Sequence, residues 1–183
     1  WDELAAAAAA VEAPPARWIF HLGHVGSTLI ARLLGELPGV LSVREPRALR
    51  DLTTAPDLAQ PVARLMARTL APGQAALVKA TSFVSEIAPV LIEPDGRALF
   101  LIASPRRYIA SILAGENSVK ELHALASTRA VRAKARGIDV PVPKSDAELA
   151  AIAWASSISA LEAAALSRPD AAITWVDFDD WLD

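Results

Sequence analysis

Between positions 21 and 34 the chain reads His-Leu-Gly-His-Val-Gly-Ser-Thr-Leu-Ile-Ala-Arg-Leu-Leu. Gly23 and Gly26 stand three apart, with His24 and Val25 between them and Ser27 and Thr28 directly after. A chain that turns sharply through glycines into a helix aims several backbone N–H groups, and the positive end of the helix dipole, at one spot. Such a spot binds an anion, most often phosphate. Glycine lets the backbone approach the anion closely, and the hydroxyls of Ser27 and Thr28 add donors. An ordinary strand-to-helix connection is the plainer alternative; the clustering of small residues at a single turn favours the anion site.

The elements around that turn support the same reading. Trp18 to Leu22 is a short, bulky apolar run, as expected of a buried strand, and a helical pattern follows from 27 to about 36. Further strands are expected at 40–43, 75–79, 98–102 and 172–176. Helices are expected at 2–12, 57–70, 83–91, 105–113 and 118–136, and in a long segment capped by Ser145, with Trp154, Ile158, Leu161 and Ala165 as its apolar stripe. Strands alternating with helices predict an α/β, three-layer fold. Its mainly parallel sheet has about five strands, with 18–22 central and helices on both faces. In such sheets the ligand sits at the carboxyl ends of the strands. The polar residues there are His24, Ser27, Thr28, Arg44, Glu45, Lys79, Thr81, Arg106, Arg107, Ser111 and Asp177.

At 183 residues the chain is expected to form one domain spanning 1–183. Hydrophobic residues make up 53%, much of it alanine, and no uninterrupted apolar run reaches the roughly 18 residues of a membrane span. Asp2, Glu3 and Glu12 flank the run Ala5–Ala10, where a secretory leader would carry basic residues, so a cytoplasmic location is expected. The absence of cysteine excludes disulfides, zinc–thiolate sites and cysteine nucleophiles. A net charge of -3 provides no basic footprint for nucleic acid. Trp1 is an unusual first residue and Asp183 closely follows a strand-like run, which suggests trimmed or disordered ends.

Three segments carry a family resemblance: 21–34, the Arg44-Glu45-Pro46 after the second strand, and Ser104-Pro105-Arg106-Arg107-Tyr108-Ile109-Ala110-Ser111 after the fourth. Together they resemble the P-loop sulfotransferase superfamily over roughly residues 17–115, with an echo at 172–176 and Asp177-Phe178. The resemblance implies a P-loop-type fold and transfer of a sulfuryl group from 3′-phosphoadenosine 5′-phosphosulfate (PAPS). The implied partner is a small-molecule acceptor with a hydroxyl or amine; no metal, nucleic acid or membrane is implied. Residues Gly23, His24, Val25, Gly26, Ser27 and Thr28 would hold the 5′-phosphosulfate, with His24 in the place of the family's usual lysine or arginine. Pro105 and Ser111 match the motif that grips the 3′-phosphate, whereas Ala103 stands where that motif begins with arginine. Arg106, Arg107 or the basic run Arg129 to Arg136 could supply the missing charge.

Each role has a plainer competitor. His24 either stabilises charge on the leaving phosphate or fills space in a loop; an imidazole is less uniformly charged than an ammonium at neutral pH. Glu45 is either a general base for the acceptor or an ion-pair partner of Arg44 or Lys79. Lys79 either neutralises the transferred group or snorkels at an edge. Ser111 is either a phosphate ligand or an exposed helix serine, and the 129/132/136 face is ordinarily solvated. His21, inside the strand, reads as structural. Two other classes compete with transfer: a non-catalytic nucleotide- or phosphate-binding P-loop protein, and an ATP-dependent small-molecule kinase. The kinase pattern requires a glycine where His21 stands and a lysine where Ser27 stands.

Overall fold

A computed structural model describes residues 2–181. Trp1, Leu182 and Asp183, and with them the expectation about the chain ends, lie outside the described residues. Five strands form one sheet in which every neighbouring pair is parallel: β1 (Arg17–His21), β2 (Val40–Arg44), β3 (Ala75–Lys79), β4 (Arg97–Ile102) and β5 (Ala172–Asp177), in the order β2-β3-β1-β4-β5. β1 is central, as the sequence predicts. Trp18, Ile19 and Phe20 are fully buried because helices cover this part of the sheet. An aromatic row crosses from the centre to the edge. Phe20 meets Phe100 edge-on at 5.8 Å, and Phe100 meets Trp175 at 5.0 Å, each pair directly opposite in register.

The helices are α1 (Asp2–Ala9), α2 (Ser27–Gly35), α3 (Ala48–Asp51), α4 (Ala59–Met66), α5 (Ala88–Leu91), α6 (Pro105–Leu113), α7 (Glu116–Ala135) and α8 (Asp146–Ser167). Several differ from expectation for local reasons. The helix predicted at 57–70 splits into a 3-10 turn, Pro56–Leu58, and α4, which ends at Met66. Beyond it, the Gln74 side-chain carbonyl captures the N–H groups of Leu70 and Ala71, a competing turn that a helix cannot share. The helix predicted at 83–91 is a 3-10 segment, Ser82–Ile87, followed by α5. Pro89 has no N–H to give Ser85, so an α-helix cannot run through it. The helix predicted at 2–12 stops at Ala9. The turn α3, after Pro46, had no signal in the sequence reading.

α8 is capped by Ser145, whose hydroxyl accepts the Glu148 N–H at 3.2 Å. Its buried face is Leu149, Ala150, Ala153, Ser156, Ala160, Leu161 and Ala164. Of the expected stripe, only Leu161 is fully buried; Trp154, Ile158 and Ala165 flank it half-buried. The small residues let α8 lie close to α5, α6, α7 and the 3-10 segment. Among the described residues α8 alone is long and apolar enough to cross a membrane by length and composition, and these same contacts cover its buried face.

Candidate functional site

The sheet delivers its polar residues to one end. At the tip of β1 the chain turns through Gly23, His24 and Gly26, with φ of 96°, 55° and 64°, before α2 begins at Ser27. The turn curls so tightly that a Cβ on Gly26 would lie 2.5 Å from the Phe178 ring, so only glycine fits there. Val25 is buried, leaving its backbone as its contribution. Gly23 donates its N–H to Nδ1 of His21 at 3.0 Å. The N–H groups of His24, Val25, Gly26, Ser27, Thr28 and Leu29 have no acceptor among the described residues; α2's ladder begins with Ile30 donating to Gly26.

His21 is the brace beneath this turn. With Nδ1 accepting from Gly23, Nε2 carries the proton and donates to the Ala80 carbonyl at 2.9 Å, tying β1 to the end of β3. Burial, with the nearby Lys79 charge, pushes its pKa down to about 4, so the ring is neutral.

The neighbouring strands bring the other pieces. Registry opposes Arg44 of β2 to Lys79 of β3, and one residue later the Glu45 N–H donates to the Lys79 carbonyl at 2.7 Å. Glu45 has a left-handed φ of 48°, and its carboxylate is hydrogen-bonded and ion-paired with Lys79. Lys79 is 1% exposed, on an interior strand, which removes the snorkelling alternative. The hydrogen bond from Lys79 holds the Glu45 carboxyl below the usual carboxylate range. Thr81, at the same strand end, is 5% exposed and its hydroxyl lacks a partner. A cleft of about 230 Å³ gathers Gly23, His24, Ser27, Thr28, Glu45, Lys79 and Thr81. His21, Arg50, Ser82, Phe83 and Glu121 complete its wall. No local pattern marks these last four: they reach the cleft from α3, the 3-10 segment and α7. His24 Nε2 lies 3.2 Å from the Ser118 hydroxyl of α7.

Three expected ligands are placed elsewhere. Arg107 is ion-paired with Asp179 at 2.7 Å, and the same carboxylate accepts the Ser104 N–H at the start of α6. Arg106 is exposed, and Ser111 spends its hydroxyl on the Tyr108 carbonyl at 2.8 Å; neither lines the cleft. Asp177, another strand-end candidate, accepts the Asp179 N–H at 2.9 Å and shapes this crossing segment. The basic run also divides. Arg136 is bound to Glu86, Ser156 and Ser159. Arg132 lies over the Phe83 ring, 4.2 Å from its centroid. Arg129 differs: its Nη1 is buried without a partner, and it borders a small cavity of about 30 Å³ with Gly23, His24, Ser82 and Tyr108. Among the described residues no group of three or more His, Asp or Glu is placed to hold a metal ion.

No protein-family model and no curated protein matches the chain. Among solved structures it is similar to a sulfotransferase domain from the curacin biosynthetic pathway, at 14% identity and a TM-score of 0.58. The match covers 92% of this chain and 69% of that one. The all-parallel five-stranded sheet, its flanking helices and this match establish that the chain has a sulfotransferase-like fold.

Proposed function

We propose that the cleft binds the 5′-phosphosulfate of PAPS and that the chain transfers its sulfuryl group to a small-molecule hydroxyl or amine. One observation carries the reading. Consecutive N–H groups from His24 to Leu29 are unpaired, and His24, Ser27 and Thr28 of that turn line the same cleft as a buried lysine and a buried, unpartnered Thr81 hydroxyl. Unpaired amides at a helix N-terminus and a buried hydroxyl without a partner are satisfied together by an anion. PAPS supplies an activated sulfuryl group on a phosphate. The turn amides, Ser27, Thr28 and Thr81 are suited to hold that end, and Lys79 and His24 to offset the charge that develops on the departing phosphate. Arg129, whose Nη1 is buried without a partner, is suited to a second anionic group of the donor, whereas Arg107 is committed to Asp179. That commitment, with Ala103 uncharged, is also what favours a second reading, a nucleotide-binding protein without turnover. The ATP-dependent kinase is the weakest reading, since Ser27 stands in the place of its phosphate-binding lysine.

Thermal unfolding with adenosine 3′,5′-bisphosphate, compared with ATP and magnesium, tests the donor. A ligand at about 100 times its Kd stabilises by about 2.7 kcal/mol, which raises Tm by several degrees for a domain of this size. The bisphosphate is expected to do this and ATP with magnesium is not. The reverse order supports the kinase, and a silent bisphosphate removes PAPS.

A further inference from the structure

We infer that Glu121 and the apolar cavity beside it form the acceptor site, and that the acceptor is a hydroxylated organic acid with an apolar body. Its hydroxyl faces Glu121 and its carboxylate faces Arg50. The identity of the transferred group rests on the donor reading above, whereas the acceptor pocket belongs to this chain's own residues.

The cavity measures about 380 Å³ and is lined by Arg50, Phe83, Glu121, Ala124 and Leu125. That volume is in the range of small-molecule sites, about 300–1,000 Å³. Arg50, Phe83 and Glu121 line the donor cleft as well, so the two spaces adjoin along these three side chains. The apolar wall is held in place: Arg132 lies over the Phe83 ring and donates to the Phe83 carbonyl at 3.2 Å. Arg50 and Glu121 form no ion pair among the described residues. A free guanidinium beside an apolar wall suits a carboxylate, which it can grip through two parallel N–H groups.

Glu121 is the carboxylate free to take a proton. Glu45 is not, because protonating it leaves the buried Lys79 ammonium without its counter-charge. In the step, the acceptor hydroxyl oxygen forms a bond to the donor's sulfur and the bond between sulfur and the bridging phosphate oxygen breaks. That electron pair leaves with the phosphate, and the hydroxyl proton passes to Glu121.

Three phenols of similar size separate the elements: 4-hydroxyphenylacetate, its methyl ester and tyramine. Their binding is first measured by ligand-observed NMR on the whole protein without donor. The acid is expected to bind most tightly, with Arg50→Gln weakening the acid about tenfold and leaving the ester unchanged, the size of one lost charged hydrogen bond. Equal binding of all three, or none, overturns the acceptor class. Transfer from PAPS is then followed in single turnovers, with adenosine 3′,5′-bisphosphate affinity measured separately. Glu121→Gln is expected to slow transfer about 10²–10⁴-fold with bisphosphate affinity unchanged, as for loss of a general base. Full transfer by Glu121→Gln, or bound donor with no transfer to the acid, overturns the role of Glu121. A protein that binds the acid but not the bisphosphate refutes the donor reading and the transfer step while leaving the acid pocket standing.

Discussion

Lys79 and Glu45, 34 positions apart, close the carboxyl end of the sheet with an ion pair in which the ammonium is 1% exposed and the carboxylate 46%. The asymmetry decides what each can do. Glu45 reaches solvent but is held by the lysine, and the lysine has no other carboxylate partner among the described residues. Removing the carboxylate leaves a cation stranded in the interior, so Glu45 serves as the counter-charge of Lys79 at the cleft.

Glu45→Gln is therefore expected to lower stability by about 1–3 kcal/mol, less than for a fully buried pair because Glu45 is partly solvated. Adding Lys79→Met should restore much of that loss while abolishing anion binding. Urea denaturation of the single and double variants measures both terms; additive losses would show that the pair is not coupled.

The position of this pair explains how much could be read from the sequence. The strands 18–22, 75–79 and 98–102 were legible because strands buried on both faces are apolar runs, and the glycine turn because its residues are contiguous. The pairing of Glu45 with Lys79, rather than Arg44, depends on β2 lying beside β3, which no local pattern states. Arg107 reads in the sequence as one possible replacement for the charge that Ala103 lacks, yet the carboxylate that claims it lies 72 positions later. Glu121 and Arg50 carry no local signal at all. They acquire meaning only where α7 and α3 meet the strand ends.

His21 makes stability depend on pH. Its native pKa is about 4 against 6.5 ordinarily, so between those values the unfolded chain binds a proton that the native one refuses. Stability is complete above pH 6.5 and falls as pH drops towards 4, by about 3 kcal/mol. Denaturation at a series of pH values should show this slope, and His21→Asn should flatten it. An unchanged slope in the variant assigns the effect elsewhere.

Gly26→Ala forces a side chain onto a left-handed backbone and against Phe178. A loss of at least about 1–2 kcal/mol is expected. Phe178→Ala should recover the steric part, so the double variant should be more stable than the sum of the single losses implies. Strict additivity would mean that backbone strain alone sets the cost.

Arg129 and Arg107 make opposite forecasts for the donor. Replacing Arg129 with glutamine should weaken adenosine 3′,5′-bisphosphate about tenfold or more, the effect of losing a charged hydrogen bond. Replacing Arg106 and Arg107 together with alanine should change it less than about twofold, since Arg107 is committed to Asp179 and Arg106 lies outside the cleft. Calorimetric titration of each variant makes the comparison, and the opposite ranking would place the second anionic group at α6.

In the proposed function the turn from Gly23 to Thr28 receives the donor's phosphate on its own amides. An amide-resolved NMR titration with adenosine 3′,5′-bisphosphate tests it most directly. Saturable shifts are expected at His24 to Leu29 and at Lys79 to Ser82, with the Gly23 amide least affected because His21 already accepts its proton. Saturable binding that leaves those amides unmoved, or shifts confined to α6 and the Asp177–Asp179 segment, would contradict it.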